Sequence, residues 1–166
     1  MNVFCLGKPT YDHAIQGGLG MANTIRNIMT TDVECVTLLD NVYEVACKMR
    51  DHDVGIVPVV DDQQNCIGVI TDRDIVIRGV AGKRSGSSAV EQVMSETLIT
   101  GTPEMSVDEA AKLMAEKQIR RLPIIENGKL AGIVAMADLA VRDKFADQAG
   151  YALSEISEQR GEEHLQ

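Results

Sequence analysis

At 166 residues, 45% hydrophobic but only 3% aromatic, the chain has room for one ordinary domain or two small repeats sharing a core of Val, Ile, Leu, Ala and Met. It is too short for a (β/α)8 barrel of about 250 residues. A net charge of −9 disfavours nucleic acid as a partner, and four cysteines without CxxC spacing, beside three scattered histidines, point to reduced thiols rather than a disulfide framework or metal site.

Residues 1–22 have neither a helical nor a strand period and include Gly17-Gly18-Leu19-Gly20, so they read as a leader outside the fold, with Met21 a candidate start. Val33 to Thr37 predicts a short strand. Val42, Val45, Ala46 and Met49 recur at helical spacing and share one face, and Asn41 with Glu44 has the spacing of a capping box. Two β-branched runs, Val54 to Val60 and Cys66 to Thr71, flank a polar turn and predict a hairpin, with Pro58 suggesting a strand boundary. A second helix is predicted after Asp72, carrying Ile75, Val76 and Ile77, and Gly79 to Ala89 reads as a connector.

The pattern then starts again. Leu98 to Thr100 predicts a strand; Val107, Ala110, Ala111 and Met114 form a helical stripe behind a Ser106–Glu109 capping box; Ile119 to Ile125 and Leu130 to Ala135 form a second hairpin interrupted by Pro123. A helix with Leu139, Ala140 and Val141 follows. Asn41 and Ser106, Met49 and Met114, and Pro58 and Pro123 each differ by 65, and Gly68 with Gly132 and Asp74 with Asp138 differ by 64. The lost residue falls where Asp61 to Asn65 faces Glu126 to Lys129, in the hairpin turn, where length is tolerated. Repeats are thus predicted at 23–80 and 90–145, with a connector at 81–89 and a final helix and tail at 146–166, the helix apolar through Phe145, Ala149, Ala152, Leu153 and Ile156 and the acidic tail running from Gly161 to Gln166. Each copy is too short to bury a large core alone, so the two are expected to pack on each other.

Met29-Thr30, Gly55-Ile56-Val57-Pro58 and Gly68-Val69-Ile70-Thr71-Asp72-Arg73-Asp74, matched by Met94-Ser95, Arg120-Arg121-Leu122-Pro123 and Gly132 to Asp138, together resemble a cystathionine-β-synthase (CBS) domain, in tandem. The likeness is strongest to stand-alone bacterial CBS pairs, related to the regulatory repeats of IMP dehydrogenase and to hypoxic-response proteins. It implies an α/β (α+β) fold of two β-α-β-β-α repeats packed with pseudo-two-fold symmetry. It also implies an adenine nucleotide of AMP, ADP or ATP type, or a related adenosyl ligand, held between the repeats as a regulatory ligand, with no catalytic cofactor.

In that family the Gly-x-x-Thr-x-x-Asp motif supplies a hydroxyl near phosphate and a carboxylate to the ribose, so Thr71 and Asp74 are the first candidates. The chemistry is suitable, since an ionised carboxylate accepts two hydrogen bonds from a vicinal diol and a hydroxyl can donate to phosphate. The competing structural reading is that these carboxylates merely favour a helix start. Ile119-Arg120-Arg121-Leu122-Pro123 resembles the stretch of the AMP-activated kinase γ subunit whose basic residues reach phosphate, and a guanidinium fork suits that task. Ile56, Val57 and Asp138 complete the candidate set. Ala135 stands where a second threonine would be, so the two sites are expected to be unequal.

No GxxxxGK loop, GxSxG elbow or HExxH is present, so no enzymatic activity is expected. With no secretory signal and no eighteen-residue apolar run, a cytoplasmic protein without membrane contact is expected. Apolar Ile75, Val76, Leu139 and Val141 suggest a homodimer, and a sensor implies an unidentified regulated protein. The rival expectation is a structural or scaffolding dimer that binds no physiological nucleotide.

Overall fold

The protein, here as a computed structural model, is described over residues 24–95, 97–140 and 146–162. The leader, Phe145, Val141 and the tail beyond Glu162 lie outside the described residues. Its elements are α1 (Val42–Asp51), β1 (Ile56–Val60), β2 (Cys66–Thr71), the single turn α2 (Asp72–Asp74) running into a π-helical turn (Ile75–Val80), α3 (Val107–Glu116), β3 (Arg121–Glu126), β4 (Lys129–Ala135), α4 (Met136–Ala140) and α5 (Ala146–Glu162). They form two compact units, which among the described residues are 32–98 with 127–130, and 24–31 with 99–126 and 131–162.

In the first unit, α1 starts because Asn41 Oδ1 accepts from the Glu44 amide at 3.0 Å while the Glu44 carboxylate accepts from the Asn41 amide at 3.0 Å. The next two amides, of Val42 and Tyr43, have no partner inside the helix and donate to the carbonyls of Ser88 and Gly86. The Gly79 to Ala89 stretch is therefore not a loose tether: its start is wound into the π-helical turn and its end caps α1. The helix stops at Asp53, whose φ of +52° lets the Val54 amide reach back to the Met49 carbonyl.

β1 and β2 pair antiparallel from Ile56 opposite Thr71 to Val59 opposite Gly68, and then the register shifts so that Val60 faces Cys66. Asp61 holds the turn beyond, accepting from the Gln63 and Asn65 amides and from the Asn65 side chain. Those bonds to Asn65, strongest first, hold the Asp61 carboxyl below its ordinary pKa. Pro58 sits inside β1, not at a boundary. On its far side the Val36 amide donates to the Pro58 carbonyl and the Val60 amide to the Val36 carbonyl, so that pairing begins at the carbonyl of residue 58 and never asks for its missing N–H. The strand expected over Val33 to Thr37 is reduced to this one parallel bridge at Val36. Val36, Val42, Val45, Met49, Val57, Val59, Ile70, Val90 and Val93 make the core.

The second unit repeats the construction. Ser106 and Glu109 exchange the same pair of cap bonds. Gln118, φ +55°, ends α3 as Asp53 ends α1, with the Ile119 amide on the Met114 carbonyl. Gly101 replaces Val36 beside Pro123, its amide on the Pro123 carbonyl and the Ile125 amide on its own. The strand expected at Leu98 to Thr100 is again one bridge, at Gly101. Each unit also borrows the other copy's leading segment: Ser95 pairs with Val69 in the first, and Thr30 with Ile133 in the second. That close pairing explains the repeated glycine. A Cβ on Gly132 would stand 2.6 Å from the Thr30 carbonyl oxygen, and one on Gly68 2.9 Å from that of Ser95.

The second core is larger because α5 packs on α3 and α4, adding Ala149, Ala152 and Ile156. Leu153, predicted on that apolar face, is instead exposed. Leu139 is also misplaced by the dimer expectation: covered by its own unit, it is fully buried, whereas Val76 stays 56% exposed.

Candidate functional site

The end of a β-strand running straight into a helical turn leaves the first amides of that turn without partners, and a side chain at the junction must serve them. At the end of β2, Thr71 does so. Its Oγ1 accepts from the Asp74 amide at 3.1 Å and donates to Asp74 Oδ2 at 2.7 Å, and the same carboxylate oxygen accepts from the Thr71 amide at 3.0 Å. The Asp72 amide is taken by the Gly55 carbonyl at 3.1 Å, which fixes the start of β1 against this turn.

This arrangement joins the two competing readings of the motif. Thr71 and Asp74 form a complete capping box, and they also hold one carboxylate in a defined orientation, with Asp74 only 15% exposed. Oδ2 is engaged by Thr71, while Oδ1 keeps lone pairs for an outside donor, with the Arg78 guanidinium 3.5 Å away. The Thr71 hydroxyl spends its single hydrogen on Asp74. In this geometry it could serve an outside group only as an acceptor, and donation would require that hydrogen to turn away from Asp74.

Ile56, opposite Thr71 in the register, is half-buried beside this turn. Val57 is fully buried in the first core, so its side chain packs there and only its main chain is left for a ligand.

The second unit holds Arg120, Arg121 and Asp138. Asp138 Oδ2 accepts from the Ala135 amide at 2.7 Å, half of the same box; Ala135 has no hydroxyl for the other half. The Arg120 carbonyl takes the Met136 amide at 2.9 Å, as Gly55 takes that of Asp72. Both arginine side chains are exposed. Among the described residues neither meets a carboxylate, so both guanidiniums stay available to an anion.

Other chemistry is thin. Burial pushes the Cys66 thiol up, which keeps it protonated and a poor nucleophile at neutral pH. Among the described residues no group of three or more His, Cys, Asp or Glu is placed to hold a metal, and no helix is long and apolar enough to cross a membrane.

Losing the Thr71 hydroxyl removes a cap, so Thr71→Ala is expected to destabilise the protein by about 1 kcal/mol. Urea unfolding would show it as a lower midpoint at unchanged slope, and an unchanged midpoint would mean the box contributes nothing.

The CBS domain family model matches residues 25–79 and 90–143. The Bacillus subtilis (strain 168) protein YlbB is 46% identical over 135 residues, covering 81% of this chain and 91% of that one. Among solved structures, Hypoxic Response Protein I with two coordinated zinc ions is 35% identical at a TM-score of 0.65, covering 70% of this chain and 96% of that one. CBSX2 in complex with AMP is 25% identical at a TM-score of 0.61, covering 69% and 91%.

Proposed function

The chain belongs to the CBS domain family, as a tandem pair, and from that premise we propose that it is a non-enzymatic, cytoplasmic ligand sensor that binds an adenine nucleotide of AMP, ADP or ATP type. The observation that carries this reading is the Asp74 carboxylate, oriented by Thr71 through one oxygen and open at the other, which is what a ribose diol requires. AMP on the related CBSX2 supports the ligand class. In this reading Arg120 and Arg121 supply charge to phosphate, Ile56 flanks the nucleoside, and Asp138 has a lesser part because Ala135 cannot complete its box. Control of an unidentified partner protein would follow from differential affinity: a ligand shifts a conformational equilibrium only as far as it prefers one state.

A thermal-shift panel of AMP, ADP, ATP and S-adenosylmethionine tests the proposal. A ligand at a hundred times its Kd should stabilise the protein by about 2.7 kcal/mol. The scaffold reading has one observation in its favour, that the capping box gives Thr71 and Asp74 a structural task without any ligand. It requires no shift from any member of the panel. We also propose a homodimer, supported by the exposure of Val76, Ile77 and Val80 in the first unit. Light scattering should give twice the chain mass at micromolar concentration, and a monomer with and without AMP would contradict it.

A further inference from the structure

We infer that Arg78, outside the candidate ligand set, is a positioning residue that holds Asp74 for the ribose and ties it to the segment around Met94. The inference rests on the nucleotide reading above and adds a residue to it. Arg78 Nη1 donates to the Met94 carbonyl at 2.7 Å and to the Val93 carbonyl at 3.3 Å, and Nη2 lies 3.5 Å from Ser95 Oγ. The same Nη1 is 3.5 Å from Asp74 Oδ1. That distance is long for a hydrogen bond, so the attraction is Coulombic. It orients the oxygen that Thr71 leaves open without using up its lone pairs. A guanidinium anchored on two carbonyls is a fixed charge rather than a wandering one, which is what orienting a carboxylate needs.

Two further features support the assignment. Arg78 lies in the π-helical turn, at whose end the Ala81 amide bonds the Val76 carbonyl, five residues back, at 2.9 Å. Such wide turns are uncommon and recur at functional sites. The second copy also keeps the spacing, with Arg142 four residues after Asp138. Residues 93–95 belong to the second copy's leading segment, so within the first unit Arg78 joins one copy's carboxylate to a segment from the other copy.

The test is calorimetric titration with AMP and 2′-deoxy-AMP of the wild type, Arg78→Gln, Asp74→Ala and the double variant. Arg78→Gln is expected to weaken AMP roughly two- to fivefold, as suits a half-exposed charge pair. It should also reduce the preference for AMP over its 2′-deoxy form, while the double variant binds no more weakly than Asp74→Ala alone. A purely structural Arg78 would weaken both nucleotides equally and add its loss to that of Asp74→Ala, which overturns the inference. Arg78→Lys, which keeps the charge and is the safeguard should Arg78→Gln unfold, should retain part of the ribose preference; loss of the whole preference in a folded Arg78→Lys would also overturn it. Absence of AMP binding, or indifference to Asp74→Ala, defeats the nucleotide reading itself. Binding that depends on Asp74 but ignores both Arg78 variants defeats this inference alone.

Discussion

Replacing Leu139 with alanine is expected to destabilise the protein by about 2–5 kcal/mol, the range for a large side chain removed from a core that closes only partly around the gap. Leu139 is fully buried in the second unit, in the cluster that includes Val134, Met136, Ala149, Ala152 and Ile156, so the lost methyl groups leave a cavity and not a wetted surface. Val76, 56% exposed, makes the control. Val76→Ala should change stability by about 0.5 kcal/mol or less in the isolated chain. Urea unfolding at low protein concentration distinguishes them. Equal, small losses would mean that Leu139 lies on a surface after all, as its place in the apolar run of the sequence suggested.

The largest effect on binding is expected from Asp74→Ala. Removing the carboxylate deletes a charge-assisted acceptor for the ribose, a loss of about 1.5–3 kcal/mol, or roughly ten- to hundred-fold in affinity. Part of the change has a structural origin, because Asp74 also accepts from the Thr71 amide and hydroxyl, so the melting temperature must be recorded beside the Kd. Asp138→Ala is the internal comparison. Asp138 accepts from the Ala135 amide in the same way, yet no threonine stands beside it, and its removal should leave affinity nearly unchanged. Equal losses from the two variants would mean that the repeats contribute equally and that the Ala135 substitution is compensated elsewhere.

What could be read from the sequence was local and chemical. The two helical stripes and both capping boxes were legible because side-chain spacing alone specifies them, and the structure forms both boxes. The helix ends were not. Asp53 and Gln118 take the left-handed conformation that glycine usually fills, so no residue type announced them. Pro58 and Pro123 misled for a different reason. A proline is tolerated inside a strand when the neighbouring segment contributes only one residue beyond its carbonyl, and that neighbour, Val36 or Gly101, lies some twenty residues away in the chain. The burial of Leu139 depends on α5, a helix outside the repeat, so comparing the two copies could not reveal it.

The candidate site was legible to the same depth. Thr71 and Asp74 were visible as a motif, but that the hydroxyl gives its hydrogen to the carboxylate is a matter of geometry. Val57 is among the candidates by its place beside Ile56, but β1 is buried continuously from Val57 to Val60, so its side chain packs in the core. Arg78 carries no distinguishing signal in the sequence, since an Asp and an Arg four residues apart have the spacing of an ordinary helical surface pair. Only its bonds to residues 93 and 94 set it apart.

The central claim is that this CBS pair binds an adenine nucleotide, and that one copy's motif is complete while the other's is not. Calorimetric titration of the wild-type chain with AMP, and with ATP should AMP give no heat, tests it most directly. The account predicts saturable binding of about one nucleotide per chain, because of the two equivalent strand-to-helix junctions the Thr71–Asp74 junction combines hydroxyl and carboxylate while the Ala135–Asp138 junction has the carboxylate alone. Two equal sites per chain, or no saturable heat with either nucleotide, would contradict it.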